Sequence, residues 1–260
     1  MKEAQRFLRY VIPGLIFLIE VSLYLFLSTP YEFVQFVKDW KLLKNSGTPI
    51  STFLISGGLG FFFGVFYHVL YWRGCLPVVK HCRLIKVAIN RNWLKLNQEF
   101  NVKELDQMQA MCLIMAFWHE RKESSIRIKE ANPRVESLTD IMHGLGTAFI
   151  GSIIAIPLWL FIYWKFAEKS PCTFSFVITL IISLLVVITH YYNYKNVVTN
   201  VQRVVNIIIA DELEEEYSKK RTPLIMNVIA NDFNQKHLFY SFCKLIFNKF
   251  KIISNKLLKR

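Results

Sequence analysis

"LISGGLGFFFGVFYHVLYWRG", residues 54–74, is the stretch that decides the fold of this chain. It carries no charged side chain before Arg73, yet four glycines fall within its first eleven residues. Glycine is a poor helix former in water. In lipid, an unsatisfied backbone group costs several kcal/mol, so the helix is enforced and glycine is tolerated. The stretch therefore predicts a membrane-spanning helix whose small residues contact a second helix.

The composition of the whole chain agrees with this interpretation. Of its 260 residues, 53% are hydrophobic, and the net charge is +13. Crossing a hydrocarbon core of about 30 Å takes about 20 helical residues. We therefore expect an all-α, polytopic membrane protein with four transmembrane helices and a helical cytoplasmic region. The four apolar runs are residues 10–28, 51–71, 144–164 and 174–192.

The distribution of Lys and Arg predicts the orientation of these helices. Residues 1–10, 72–142 and 191–260 hold 27 of the 32 basic side chains, whereas the two other connections hold five. Both termini and the central segment are therefore expected in the cytoplasm. The predicted organisation is a first helix pair (1–71), a cytoplasmic insertion (72–142), a second helix pair (143–192) and a cytoplasmic extension with a basic tail (193–260).

Small residues recur at helical spacing in the second and third spans. In the second span they form one stripe together with His68. Such faces let helix backbones approach closely, so we expect the second span to pack on the third, in the same subunit or in a copy. Packing within one subunit is favoured, and a homo-oligomer is expected as well. The small residues are Ser56, Gly60, Gly64, Gly144, Ala148, Gly151 and Ala155.

The cytoplasmic segments are predicted to be helical. Residues 75–100 alternate basic and apolar positions, and residues 102–131 place apolar side chains on one helical face. Asn132-Pro133 is expected to end that helix, and Ser137 with Asp140 has the spacing of a capping box that starts the next one. The fourth span is expected to continue as one rod to about residue 217.

The tail is predicted to be a basic amphipathic helix. Residues 236–260 hold seven basic side chains and no acid, with apolar residues three or four apart. Such a helix lies on anionic lipid, which is favoured here over nucleic-acid binding by the same charges. The residues expected to bind lipid or another anionic partner include Lys244, Lys249, Lys251, Lys256, Lys259 and Arg260.

Two ionisable residues in the apolar runs are candidates for a polar pathway, namely Glu20 in the first span and His68 in the second. Glu20 either lines a wet pathway or is a neutral group hydrogen-bonded to a neighbouring helix. Asp140 and His143 form an i,i+3 pair at the start of the third span, which a helix cap and an interfacial histidine explain more simply than a metal site.

No motif for catalysis, for a cofactor or for a metal is found, so we expect a protein that is not an enzyme and has neither cofactor nor metal. The five cysteines have no C-x-x-C spacing and are expected to be free thiols. Three classes of function are compatible with the sequence: an oligomeric channel or membrane-perturbing effector, a membrane anchor or sensor for a cytosolic partner, and an intramembrane or nucleic-acid-processing enzyme, whose motif is missing. The first is favoured.

The layout of four spans, a helical cytoplasmic insertion and a basic tail resembles the four-span effector and accessory proteins of prokaryotic antiphage defence systems. This resemblance implies a role in sensing infection or disturbing the host membrane, beside a cytosolic partner protein. It also implies a location in the inner (plasma) membrane of a bacterium.

Overall fold

A computed structural model describes residues 2–39, 48–96, 107–167 and 173–226. The basic tail and its six predicted anionic-partner residues lie outside the described residues. Of the described residues, 87% are helical. The helices are α1 (Lys2–Ser28), α2 (Pro30–Asp39), α3 (Thr48–Trp72), α4 (Cys82–Asn90), α5 (Gln107–Arg121), α6 (Ile126–Ala167) and α7 (Thr173–Lys220).

Four of these helices are long and apolar enough to cross a membrane, as the sequence predicts: α1, α3, α6 and α7. They pack together as a bundle, in which α1 contacts α3, α6 and α7. Their outer faces expose large apolar side chains, with Phe61 60%, Phe161 63% and Leu185 57% exposed. An apolar exterior of this extent is typical of a surface that contacts lipid or another protein.

The bundle has two ends, which are named here by residues of α1. At the Arg9 end, Arg9 contacts the last part of α3 and the middle of α6. At the Ser28 end, the Ser28 hydroxyl accepts a hydrogen bond from Trp159 Nε1 of α6 at 3.0 Å. The Ser175 hydroxyl at the start of α7 donates to the Leu27 carbonyl. Helices α1 and α6 therefore run in one direction, and α3 and α7 run in the other.

Two short strands depart from the predicted all-α fold. The strand β1 (Leu94–Leu96) pairs in parallel with β2 (Leu224–Met226), and Leu94 lies opposite Leu224. Residues 75–100 were predicted to be helical, but within the described part of this segment, residues 75–96, α4 is the only helix. Asn92 has φ +59°, a left-handed conformation that asparagine adopts more readily than most residues, and it turns the chain from α4 into β1.

The predicted break at Asn132-Pro133 is wrong, because α6 runs through this point without interruption. The side chain of Asn132 accepts a hydrogen bond from Trp118 Nε1 at 3.0 Å and donates to Glu136 Oε1 at 2.8 Å. These contacts hold the helix on both sides of Pro133, whose missing N–H removes one backbone bond. The predicted capping box at Ser137 and Asp140 therefore also fails, since both residues lie inside a helix.

Helix α7 confirms the predicted rod. It has 48 residues, a length of about 72 Å at a rise of about 1.5 Å per residue, and it ends at Lys220, just before Thr222-Pro223. With 42 residues, α6 is almost as long. Near its end α7 is joined to α5 and to the start of α6, where Arg121 and Ser125 bond Glu216 and Glu212. Helices α4 and α5, together with the start of α6 and the end of α7, are called the subdomain below. The two long helices α6 and α7 connect this subdomain to the bundle.

Candidate functional site: two polar clusters and a cavity

The backbones of α1 and α3 come into direct contact through glycine. A Cβ atom added at Gly60 would lie 1.6 Å from the Tyr10 carbonyl oxygen, and one added at Gly14 would lie 1.8 Å from the Ser56 carbonyl oxygen. No side chain fits there. The sequence predicted that the small face of the second span packs on the third span or on its copy in another subunit. Helix α3 does contact α6, but the partner of Gly60 itself is α1. Gly14 was not predicted, because it stands alone in the first span without a repeating small residue.

The small residues of α6 also pack inside the bundle. Ala148 and Ala155 are buried. A Cβ added at Gly151 would meet the Phe63 ring at 3.3 Å, and one added at Gly64 of α3 would meet the Tyr10 ring at 3.0 Å. Gly144 is an exception, since a Cβ added there would meet nothing within 4 Å. Most of the predicted small residues therefore make contacts within one chain.

A polar cluster lies in the middle of the bundle, and its centre is Glu20. This side chain is only 6% exposed. Its Oε1 atom accepts a hydrogen bond from the Ser152 hydroxyl of α6 at 2.8 Å and lies 3.0 Å from His190 Nε2 of α7. Tyr24, one turn along α1 from Glu20, is fully buried. These four residues, Glu20, Tyr24, Ser152 and His190, are called the mid-bundle cluster below.

Three polar atoms of the mid-bundle cluster are buried without a hydrogen-bond partner among the described residues. They are Glu20 Oε2, the Tyr24 hydroxyl oxygen and His190 Nδ1. Buried polar atoms in native proteins are almost always paired with protein or with water, and an unpaired one costs about 1–3 kcal/mol. A carboxyl, a phenol and an imidazole in this state can bind water or exchange protons with it.

A second polar cluster lies at the Arg9 end of the bundle, and we call it the Arg9 cluster. The guanidinium of Arg9 is 3.2 Å from Asp140 Oδ1 and 3.2 Å from His68 Nε2. Because a guanidinium can only donate, His68 Nε2 must accept this bond and carries no proton. The His143 ring lies 5.0 Å from the His68 ring, and His143 Nδ1 is 3.1 Å from the Tyr67 hydroxyl. The cluster thus joins α1, α3 and α6.

Aromatic side chains separate the two clusters. Arg9 and Glu20 are eleven residues apart on α1, about 16 Å along the helix axis. Phe17 of α1 and Phe63 of α3 lie between them, both almost fully buried, with ring centroids 4.8 Å apart. Gly151 of α6 completes this apolar layer, because a side chain there would meet the Phe63 ring. His68 and Glu20, the two predicted pathway residues, therefore lie in different clusters.

A cavity opens beside the Arg9 cluster, and we call it the α5–α6 cavity. It has a volume of about 560 Å³ and is bounded by α5, α6 and α7 together with the end of α3. Asp140 and His143 line it, so the cavity and the Arg9 cluster share side chains. Its wall also includes Trp118, Glu136 and His81.

His81 forms a separate buried contact on the wall of this cavity. It is 4% exposed, and its Nδ1 atom is 2.7 Å from Asn206 Oδ1 of α7. Burial lowers the pKa of the His81 imidazole below its usual value, and the hydrogen bond with Asn206 opposes this shift in part. The imidazole is therefore uncharged at neutral pH, and Nδ1 donates to the amide oxygen.

No known protein family, curated protein or solved structure matches this chain. The two polar clusters and the cavity are therefore the features of this chain that bear on its function.

Sequence reasoning found part of these sites. It singled out Glu20, His68, Asp140 and His143, and it placed the last two together, although each bonds a different helix. It missed Arg9 and His190. His190 lies within the fourth apolar run, and an ionisable residue in such a run is a signal that could have found it. Among the described residues, no group of three or more His, Cys, Asp or Glu side chains could hold a metal ion.

Proposed function

We propose that this protein is a channel-like membrane effector in which helices outside the bilayer control the movement of protons through the bundle. The mid-bundle cluster carries this proposal. A carboxylate in a span faces the protein interior or a wet cavity, and such residues mark ion and proton pathways. Glu20 is buried, it contacts two other helices, and it lies beside an imidazole that can exchange a proton with it.

The orphaned polar atoms support proton movement rather than a purely structural role for Glu20. A carboxyl group that served only to join helices would be expected to satisfy both of its oxygens. Among the residues that the structure describes, Oε1 has two partners and Oε2 has none, while His190 and Tyr24 each leave one polar atom unpaired. Water molecules in the cluster would satisfy all three, and protons could then pass along them.

The layer formed by Phe17, Phe63 and Gly151 provides a gate for such a pathway. Apolar constrictions block conduction by excluding water, and small displacements can open them. Phe17 belongs to α1, Phe63 to α3 and Gly151 to α6, so a shift of α6 against the first helix pair would part the layer. The closed layer corresponds to a resting state.

Helices α6 and α7 link the proposed proton pathway to the part of the protein outside the bilayer. Helix α6 carries Ser152 of the mid-bundle cluster and Asp140 of the Arg9 cluster, and α7 carries His190. Both helices extend into the subdomain of α4 and α5. A ligand or partner that moves this subdomain would therefore act on both polar clusters. We place this subdomain and both termini in the cytoplasm, on the Lys and Arg distribution.

The cellular location, the oligomeric state and the partner of the protein are also part of this proposal. The layout supports an effector of antiphage defence in a bacterial inner membrane, acting as a homo-oligomer and beside a cytosolic partner protein. Exposed apolar faces on all four bundle helices leave surface for lipid or for a second copy. The basic residues of the tail remain candidates for binding anionic lipid.

A second function, a membrane-anchored sensor without conduction, is favoured by the α5–α6 cavity. A site of this size bounded by three helices could bind a signal, and the anchor would then present the subdomain to a partner. The two proposals differ in whether the bundle conducts.

Reconstitution tests the first proposal. Liposomes with an internal pH-sensitive dye would be given a potassium gradient and valinomycin, and acidification would be followed for the wild type, Glu20→Gln and Glu32→Gln. We expect wild-type flux, a rate about tenfold lower in Glu20→Gln because the titratable group is lost, and no change in Glu32→Gln. Glu32 lies on α2, outside the four apolar helices. Because the closed layer limits the flux of the wild type, Phe63→Ala is measured beside it as a protein with the layer opened. Absence of flux from both the wild type and a folded Phe63→Ala protein would overturn conduction and favour the sensor.

A further inference from the structure

The α5–α6 cavity has the size and lining of a small-molecule site. Ligand pockets measure about 300–1,000 Å³ and have apolar walls with a few polar groups, and this cavity measures about 560 Å³. Its walls include the indole of Trp118, the ring of Tyr71 and the thioethers of Met111 and Met115. Thioethers and aromatic rings provide a polarisable surface that suits an organic ligand.

The charged side chains that line the α5–α6 cavity indicate whether its ligand is a cation or an anion. Glu136 and Asp140 both line the cavity, whereas no Lys or Arg is among its described lining residues. Buried His81 also lies on the wall and is uncharged at neutral pH, so it adds no positive charge. Both carboxylates have cationic partners, because Glu136 lies 3.3 Å from Lys122 Nζ and Asp140 lies 3.2 Å from Arg9, but neither of these cations lines the cavity. The charged side chains that a ligand meets on the wall are therefore the two carboxylates, which an organic cation can approach in competition with Lys122 and Arg9 and which an anion would be repelled by.

A hydrogen-bond relay fixes one wall in advance. Trp118 Nε1 donates to Asn132 Oδ1, and Asn132 Nδ2 donates to Glu136 Oε1. The relay holds an indole and a carboxylate in a fixed arrangement on the same wall. Aromatic rings near carboxylates are the surroundings in which proteins bind organic cations, because the ring face and the charge both attract them.

From this arrangement we infer that the α5–α6 cavity binds a lipophilic organic cation, with aromatic and thioether walls around its apolar groups and Glu136 and Asp140 near its charge. Asp140 is also the partner of Arg9 at 3.2 Å. A bound cation therefore competes with Arg9 for this carboxylate and loosens the link between α1 and α6. Binding itself does not depend on conduction, but an effect of the cation on flux rests on the proposed function.

The test uses the full chain in nanodiscs and two probes of similar shape and opposite charge, tetraphenylphosphonium and tetraphenylborate. Binding is measured by tryptophan fluorescence and by equilibrium dialysis, with empty nanodiscs subtracted. We expect saturable binding of tetraphenylphosphonium, weakened about five- to tenfold in Glu136→Gln and in Asp140→Asn, which is about 1–1.4 kcal/mol. Both amides preserve size and can still accept a hydrogen bond.

Glu130→Gln is the matched control, since Glu130 is exposed on the same helix and does not line the cavity. It should bind tetraphenylphosphonium as the wild type does. Equal saturable binding of both probes would overturn the inferred charge selection. Identical tetraphenylphosphonium affinity in the wild type, Glu136→Gln and Asp140→Asn would overturn the site. Because binding is measured directly, either result is separate from the flux experiment.

Discussion

A single oxygen atom of Glu20 joins three helices, because Oε1 lies 2.8 Å from the Ser152 hydroxyl and 3.0 Å from His190 Nε2. Ser152 also reaches the Ala148 carbonyl at 3.1 Å, so it keeps an acceptor if Glu20 is removed. His190 has no second hydrogen-bond partner among the described residues, since its Nδ1 atom is already orphaned. The carboxylate therefore matters for stability mainly through His190.

We accordingly predict that Glu20→Leu lowers the free energy of unfolding by about 1–3 kcal/mol, the cost of a buried unpaired polar group. Glu20→Gln should lower it less, because its amide oxygen can still accept. Thermal unfolding in detergent, followed by tryptophan fluorescence, measures both, with Glu32→Leu as the control. A Glu20→Leu protein as stable as the wild type would contradict the role of the cluster in joining helices.

The gate proposed at Phe17, Phe63 and Gly151 predicts a proton leak when the Phe63 side chain is truncated. Phe63→Ala removes one ring from the buried pair with Phe17 and leaves a cavity, at a cost of about 3–5 kcal/mol. If the protein remains folded, proton flux in liposomes should rise above that of the wild type. Phe161→Ala is the control, because Phe161 is 63% exposed on the outside of α6. Equal flux from the wild type and a folded Phe63→Ala protein would exclude this layer as the gate.

The close contact between α1 and α3 predicts that alanine substitutions at Gly58 and at Gly60 change the stability of the protein very differently. Gly60→Ala should destabilise the protein strongly, since the added methyl group would lie 1.6 Å from the Tyr10 carbonyl oxygen. Gly58→Ala should be neutral or stabilising by up to about 1 kcal/mol, because a Cβ there meets nothing within 4 Å and alanine favours the helix. The measurement is the melting temperature of each variant in detergent. Similar melting temperatures for Gly60→Ala and Gly58→Ala would contradict the close packing of α1 on α3.

The burial of His81 leads us to expect that the protein loses stability at acidic pH. Its pKa in the folded protein lies below the unfolded value, so the unfolded state binds the proton first as the pH falls. Its contribution is complete above about pH 7.5 and declines through about pH 6.5 toward the folded pKa. His81→Asn can keep the bond to Asn206, and it should reduce the slope of melting temperature against pH between about 7.5 and 5.5.

The control for this measurement is His119→Asn, since His119 is exposed on α5. It should leave the slope as in the wild type. An unchanged slope in His81→Asn would show that other groups cause the acid sensitivity.

The orientation of the protein is tested by cysteine labelling. In a variant without the five native cysteines, single cysteines at positions 45 and 168 should react with an impermeant reagent from outside the cell, and those at positions 100 and 230 should not. The prediction follows from the placement of 27 of 32 basic residues in three segments. Labelling of position 100 from outside would overturn it.

The apolar helices could be predicted from the sequence because hydropathy over about 20 residues is a local property. The length of α7 was also predictable, since its apolar stripe continues beyond residue 192. The passage of α6 through Pro133 was not predictable from local sequence. It depends on Asn132, just before the proline, which accepts a hydrogen bond from Trp118 of α5 and donates one to Glu136, just beyond the proline. A rule based on local sequence cannot include a contact from another helix.

The partners of the ionisable residues were harder still to predict. Glu20 stood out as a charge in an apolar run, but its contact with His190 joins residues 170 positions apart. Arg9 stands at the edge of its run, where an arginine ordinarily faces lipid headgroups. Only the packing of α1 against α3 and α6 turns it toward Asp140 and His68. The partner of Gly60 was likewise set by the bundle and not by its own stripe.

The parallel pairing of β1 with β2 has a consequence for the order in which the chain can mature on the ribosome. The Leu224 amide donates to the Trp93 carbonyl, and Leu94, 1% exposed in the finished protein, lies opposite Leu224. Leu94 and Leu224 are 130 residues apart in the sequence, so β1 cannot pair with β2 until the ribosome has synthesised all of α7. During that interval Leu94 and its unpaired strand edge are open to wrong contacts. Nascent chains stopped before residue 224 should therefore depend most on chaperones.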